Sequence, residues 1–103
     1  MIRLTVLYNL PEGADEEKFI AWRLTEHQAS NESIEGVEKT DFARITESWP
    51  DGALPDYRFH TTLEWPDRAS FERGFHDPTV QADLKENLKK LGDYSFFVSE
   101  VLG

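Results

Sequence analysis

Hydrophobic and polar positions alternate from the start of the chain. Ile2, Leu4, Val6 and Tyr8 share one side, and Arg3, Thr5, Leu7 and Asn9 share the other. A period of two predicts a strand over residues 2–9, closed by Pro11-Glu12-Gly13. From Asp15, a suitable helix N-cap followed by Glu16 and Glu17, the period becomes helical. At about 100° per residue, Ile20, Leu24, His27 and Asn31 fall on one face, Arg23 lies beside them, and Phe19 and Trp22 widen it. The helix is expected to end near Asn31. After Gly36 a second strand is predicted over Val37–Thr46. Val37 and Ile45 share a parity that Phe42 lacks, which leaves room for a bulge.

Ser48–Asp56, with Trp49-Pro50-Asp51-Gly52, reads as a loop. In Tyr57–Trp65 the alternation is clearest: Tyr57, Phe59, Thr61, Leu63 and Trp65 against Arg58, His60, Thr62 and Glu64. Asp67 caps a short helix carrying Phe71 and Phe75. Asp77-Pro78 starts another, with Val80, Leu84, Leu88 and Leu91 in a stripe and Gly92 as terminator. Tyr94–Leu102 is a fourth strand, with Phe96, Val98 and Leu102 on one face. The order β-α-β-β-α-β predicts one α+β domain over residues 1–103: a ferredoxin-like, four-stranded antiparallel sheet with its helices on one face.

Composition narrows the function. At 39% hydrophobic and 13% aromatic residues, the chain is not of the disordered type. It has no cysteine, hence no disulfide framework, thiolate nucleophile or zinc ribbon. Twenty acidic residues against eleven basic ones give a net charge of −9. The densest basic stretch, Lys85–Lys90, is interrupted by Glu86, so neither nucleic acid nor an anionic membrane is an expected partner. No apolar run approaches the ~20 residues that span a bilayer. The alternating N-terminus does not read as a signal peptide, and a cytoplasmic protein is expected.

Helices cover one sheet face. The other is assigned Arg3, Thr5, Leu7 and Asn9, then Arg58, His60, Thr62 and Glu64, then Ser95, Phe97, Ser99 and Val101. This mixed surface is either solvated, as antiparallel sheets tolerate, or packed against a second copy around a partly polar cavity.

His27 stands where helix periodicity calls for an apolar residue, and its imidazole exchanges a proton near neutral pH. It is either the acid or base of a site or a hydrogen-bonded core histidine. Asn31, one turn on, either orients a ligand carbonyl or caps the helix. Arg23 is a further candidate ligand contact. His60 lies between Arg58 and Thr62 on the second sheet face. Arg58 and Arg44 suit a carboxylate or enolate, or else pair with neighbouring acids. Tyr8 and Trp22 are packing residues or the wall of an aromatic pocket. Trp49 is a lid or a cover for a partner subunit, and His76 belongs to the surface. No metal is expected, because the histidines lack chelating spacing and His60 and Glu64 would sit ~13 Å apart on a strand. No Gly-rich phosphate loop or G-x-S-x-G motif occurs.

The element order, with His27 late in the first helix, resembles the dimeric α+β barrel superfamily. Ile2-Arg3-Leu4-Thr5-Val6-Leu7-Tyr8, Pro11-Glu12-Gly13 and Thr25-Glu26-His27 resemble EthD-type proteins. EthD-type proteins usually carry Pro two positions after the helix-one His, where this chain has Ala29. Tyr8-Asn9-Leu10, Gly13-Ala14-Asp15, Ala21-Trp22-Arg23 and Glu26-His27-Gln28 are more similar to the REDY-like HapK branch. The resemblance implies a homodimer, a hydrophobic pocket between helices and sheet, and no bound cofactor. HapK-like members are associated with prodigiosin-type pigment biosynthesis. Others in the superfamily are cofactor-free oxygenases, cyclases, isomerases or decarboxylases of aromatic compounds. The expected function is a cofactor-independent enzyme of secondary metabolism using His27 on an aromatic or pyrrolic molecule. The alternatives are a non-catalytic carrier for such a molecule, or an interaction domain with no pocket above about 300 Å³.

Overall fold

The computed structural model describes residues 1–103. Strands β1 (Ile2–Tyr8), β2 (Lys39–Arg44), β3 (Phe59–Trp65) and β4 (Tyr94–Glu100) form one antiparallel sheet in the order β2-β3-β1-β4. The fold is ferredoxin-like α+β, with the helices on one sheet face. The alternation in β1 sets the core: Ile2, Leu4, Val6 and Tyr8 are buried opposite Trp65, Leu63, Thr61 and Phe59. Burying each such aliphatic side chain contributes about 1.5–3 kcal/mol.

The first helical rod consists of α1 (Glu16–Trp22), a π-helical turn over Arg23–His27, and α2 (Gln28–Glu32). The second consists of α3 (Arg68–Phe75) and α4 (Pro78–Leu88). Each start expected from sequence carries its cap. Asp15 accepts from Lys18 N at 3.1 Å, Asp67 from Ser70 N at 2.8 Å, and Asp77 from Thr79 N at 2.9 Å. Each satisfies a backbone donor that the helix itself cannot.

Trp65 is fully buried, and its indole N–H donates to the Glu35 carbonyl at 3.0 Å. α3 approaches this pair so closely that a Cβ at Gly74 would run into the Glu35 carbonyl and the Trp65 ring. α4, by contrast, stands off the sheet. Its stripe of Val80, Leu84 and Leu88 is only half-buried and faces open space.

Four expectations need correction. β2 contains no bulge: it pairs in unbroken register from Lys39↔Glu64 to Arg44↔Phe59, and Val37 and Ile45 lie beyond its ends. Leu24 is not on the inward face but 57% exposed, while Arg23 is 1% exposed. The π turn explains Leu24. Arg23 still follows Phe19 at ordinary helical spacing, its N–H bonding to the Phe19 and Ile20 carbonyls, and the wider turn after it carries the inward face on to His27 and Gln28 and leaves Leu24 outside. β3 starts at Phe59, because the Asn9 side chain ties Arg58 N and the Asp56 carbonyl just before it. Tyr57 consequently leaves the face of Phe59 and reaches Ser95 Oγ at 2.7 Å. Leu102 lies past the end of β4 and is 87% exposed.

Candidate functional site

The gap beneath α4 is a cavity of about 360 Å³. The sheet contributes Leu4, Val6, Tyr8, Thr61, Leu63 and Phe96 to its walls, and the second rod adds Phe75, Val80, Leu84 and Leu88. The first rod adds Trp22, Arg23, His27 and Asn31, so the residues singled out on that helix do converge. Exposed Glu35, Asp77 and Asp83 also belong to its lining, Glu35 lying 3.9 Å from Arg73 Nε. A smaller polar recess beside it shares Trp22, His27, Asp83 and Asn87 and adds Glu26 and Glu86. Trp22 and His27 are therefore a wall common to the apolar cavity and its polar approach.

The π turn builds that wall. Gln28 N donates to the Arg23 carbonyl, five residues back. That spacing brings the His27 ring onto Trp22, with centroids 4.8 Å apart and planes 18° apart. The Trp22 ring also receives Lys90 Nζ at 4.5 Å. His27 Nδ1 lies 3.3 Å from Asn87 Nδ2. As the amide is oriented, Asn87 donates to Nδ1 and leaves Nε2–H as the ring's own donor. Burial, then the nearby charges of Arg23 and Lys90, pull the His27 pKa down to about 4; Asp83 opposes them weakly. The imidazole is therefore neutral at pH 7, able to donate from one nitrogen and accept at the other.

Arg23 is the deeper charge. Its Nη1 donates to Gln28 Oε1 at 2.6 Å and its Nη2 to Thr61 Oγ1 at 3.2 Å. Its guanidinium lies over the Phe42 ring at 4.7 Å. No carboxylate pairs with it. Thr61 also shares a hydrogen bond of 2.9 Å with Tyr8 Oη. Burial raises the Tyr8 pKa, against the pull of Thr61 and Arg23. Burial also lowers that of Arg23, which stays cationic even so. Asn31 is 7% exposed, and its amide has no partner within the chain. It faces the cavity; the helix ends on Ser33.

The other candidates lie elsewhere. His60 sits opposite Leu7 and Ala43, on the sheet face turned away from the cavity. Arg58 does not join it there. Its Nη2 is 3.1 Å from Glu16, as is Nη1 of Arg44, so both arginines brace the start of α1. They hold the Glu16 carboxyl below its usual range, the Arg58 hydrogen bond being the main cause. Trp49 is 90% exposed and lies outside the cavity lining. His76 is exposed, as expected. No three acidic or histidine side chains come together as metal ligands. Thr61, Gln28 and Asn87 are not among the site candidates that the sequence offers. Only Thr61 carries a signal, as the one polar residue in the inward row of β3.

Comparison with known structures bears on fold and family. An EthD family protein from Bacillus halodurans is 22% identical, with a TM-score of 0.81 over 99% of each chain. HapK from Hahella chejuensis is 21% identical, with a TM-score of 0.74 over 100% of this chain and 94% of that one. SnoaB, a cofactor-independent oxygenase from Streptomyces nogalater, is 13% identical, with a TM-score of 0.69 over 97% and 91%. At such identities the likeness establishes the fold. No curated protein matches. The family model for the REDY-like protein HapK matches residues 2–102. With nearly every residue inside that match, and the helix-sheet architecture shared with a solved HapK, the chain belongs to the REDY-like HapK family.

Proposed function

We propose that this protein binds an aromatic or pyrrolic small molecule in the cavity and acts on it without a cofactor, with His27 as the proton donor or acceptor. One observation carries the reading: a neutral imidazole stacked on Trp22 in the wall of an apolar cavity of about 360 Å³. An aromatic ligand would pack against the Trp22–His27 wall, Phe96 and the leucines of α4 there, while His27 and Asn31 supply directed polar contacts. The volume also counts against a purely structural domain, which has no reason to leave a core open. The SnoaB likeness is compatible with chemistry that needs no cofactor. HapK membership makes a pyrrolic intermediate of prodigiosin-type pigments the leading ligand class, within secondary metabolism in the cytoplasm. No helix is long and apolar enough to cross a membrane.

The protein works as a homodimer in this reading. Phe97 is 55% exposed on the second sheet face, which also carries half-buried Leu7, an apolar surface that a second copy would cover. Exposed Trp49 would extend that contact.

A carrier role is the second reading, and one observation favours it. No carboxylate hydrogen-bonds His27, and burial with the charges of Arg23 and Lys90 outweighs the opposing charge of Asp83, so its basicity is low for an acid–base group. Mass spectrometry of small molecules extracted from the purified protein, before and after incubation with pyrrolic intermediates, separates the two. A converted molecule that disappears with His27→Gln supports catalysis. Retention without conversion supports the carrier, and conversion unchanged in His27→Gln removes His27 from the chemistry.

A further inference from the structure

Arg23 is 1% exposed, yet no aspartate or glutamate lies within salt-bridge distance of it. Its acceptors are neutral: the amide oxygen of Gln28 and the hydroxyl of Thr61. Of the five N–H donors of a guanidinium, these use two. A buried cation left this way is costly, and proteins generally pair it or remove it. Its surroundings at the cavity floor are also unfinished. Asn31 lines the same cavity with an amide that has no partner within the chain but keeps access to the cavity space, and Tyr8 Oη and Thr61 Oγ1 already form a polar cluster there. The carboxylates of the cavity lining, Glu35, Asp77 and Asp83, are solvent-exposed and none pairs with Arg23, while Glu32 reaches only Gln28 Nε2 at 3.3 Å. Arg23 is thus a buried cation in the cavity lining with no anion against it, inside a chain of net charge −9.

From this placement we infer that the cavity selects a planar aromatic acid, carboxylate or ionised enol, bound with its oxyanion inward on Arg23 and Asn31. The inference rests on the reading that the cavity takes a small molecule, and it names that molecule's class. The guanidinium offers parallel N–H groups to two oxygens in one plane. The apolar body then lies between the Trp22–His27 wall and the stripe of α4. A uniformly neutral ligand would leave Arg23 as unpaired as it is now.

The test uses a matched pair of probes, 2-naphthoate and 2-naphthamide, which share ring and size and differ in charge. Titration calorimetry on the intact protein at pH 7 is expected to show naphthoate bound at least about tenfold more tightly, the margin of a charge-assisted hydrogen bond over a neutral one. Added salt separates this site from surface lysines. Pairing with a buried cation is weakly screened, whereas repulsion by the acidic chain is strongly screened. Naphthoate affinity should therefore hold or rise from 0.05 to about 0.5 M salt, and a fall would overturn the inference in favour of surface binding. Arg23→Met should abolish the preference while naphthamide still binds; a preference that survives it also overturns the inference. Should that variant fail to fold, Arg23→Lys serves, since it keeps the charge, loses the planar fork and should narrow the preference. Equal binding of both probes to the native protein refutes the acid class and leaves the cavity reading standing. Binding of neither refutes both.

Discussion

The ring of His27 lies flat on that of Trp22, although the two are five residues apart on one helical rod. In a regular α-helix such a pair points about 140° apart and cannot stack. The stack exists because the rod widens into a π turn between them. Deleting exposed Leu24 would restore the regular period. The expected result is a helix as stable as before or more so by thermal melting, with aromatic-ligand binding by calorimetry reduced at least about tenfold. Unchanged binding would show that the π turn is incidental to the site.

His27 titrates far from its usual range because it is half-buried near two cations. Its ring proton shifts followed by NMR should give a midpoint at about pH 4, where an exposed histidine gives about 6.5. A midpoint above 6 would mean the ring is solvated.

The same shift governs acid stability. Above pH 6.5 the imidazole is neutral in both the folded and unfolded chain, so it adds no pH dependence. As pH falls from 6.5 toward 4 the unfolded chain takes up a proton that the folded one resists, and stability is lost. Denaturant midpoints of the native protein and His27→Gln, compared at pH 7 and pH 4.5, should show the native protein losing more on acidification.

Arg44 and Arg58 hold Glu16 at a partly exposed helix start, away from the cavity. Arg44→Gln and Arg58→Gln are each expected to cost no more than about 1 kcal/mol of stability and to leave probe affinity within about twofold. A larger loss of affinity would return these arginines to the site.

Phe97 tests the paired arrangement. Phe97→Glu should halve the mass seen by light scattering while circular dichroism stays that of the native fold. A native protein already monomeric at micromolar concentration would refute the dimer.

The framework of the fold was legible because its signals are local. Alternation in β1 and β3 marks faces, and aspartates mark three helix starts. The cavity was legible only in part. His27 and Asn31 stand out as polar residues on an apolar face, and Arg23 is a candidate ligand contact at its edge, but its full burial is not readable from that position. Periodicity assumes a constant turn, and nothing in Arg23–His27 announces a wider one. His60 and Arg58 were grouped by strand parity, which holds only while the strand lasts. Asn9 ends it one residue too early for Arg58. The partner that gives Asn87 its role is sixty positions away, beyond the reach of any window.

The half-buried leucines of α4 carry a consequence for how this molecule is handled. A ligand that binds this space only in the folded chain becomes part of the folding equilibrium, so occupancy would raise the melting temperature with the logarithm of concentration over Kd. Thermal shift screening is thereby a direct check on the proposed ligand classes: a compound that fills the space beneath α4 should make the chain harder to melt.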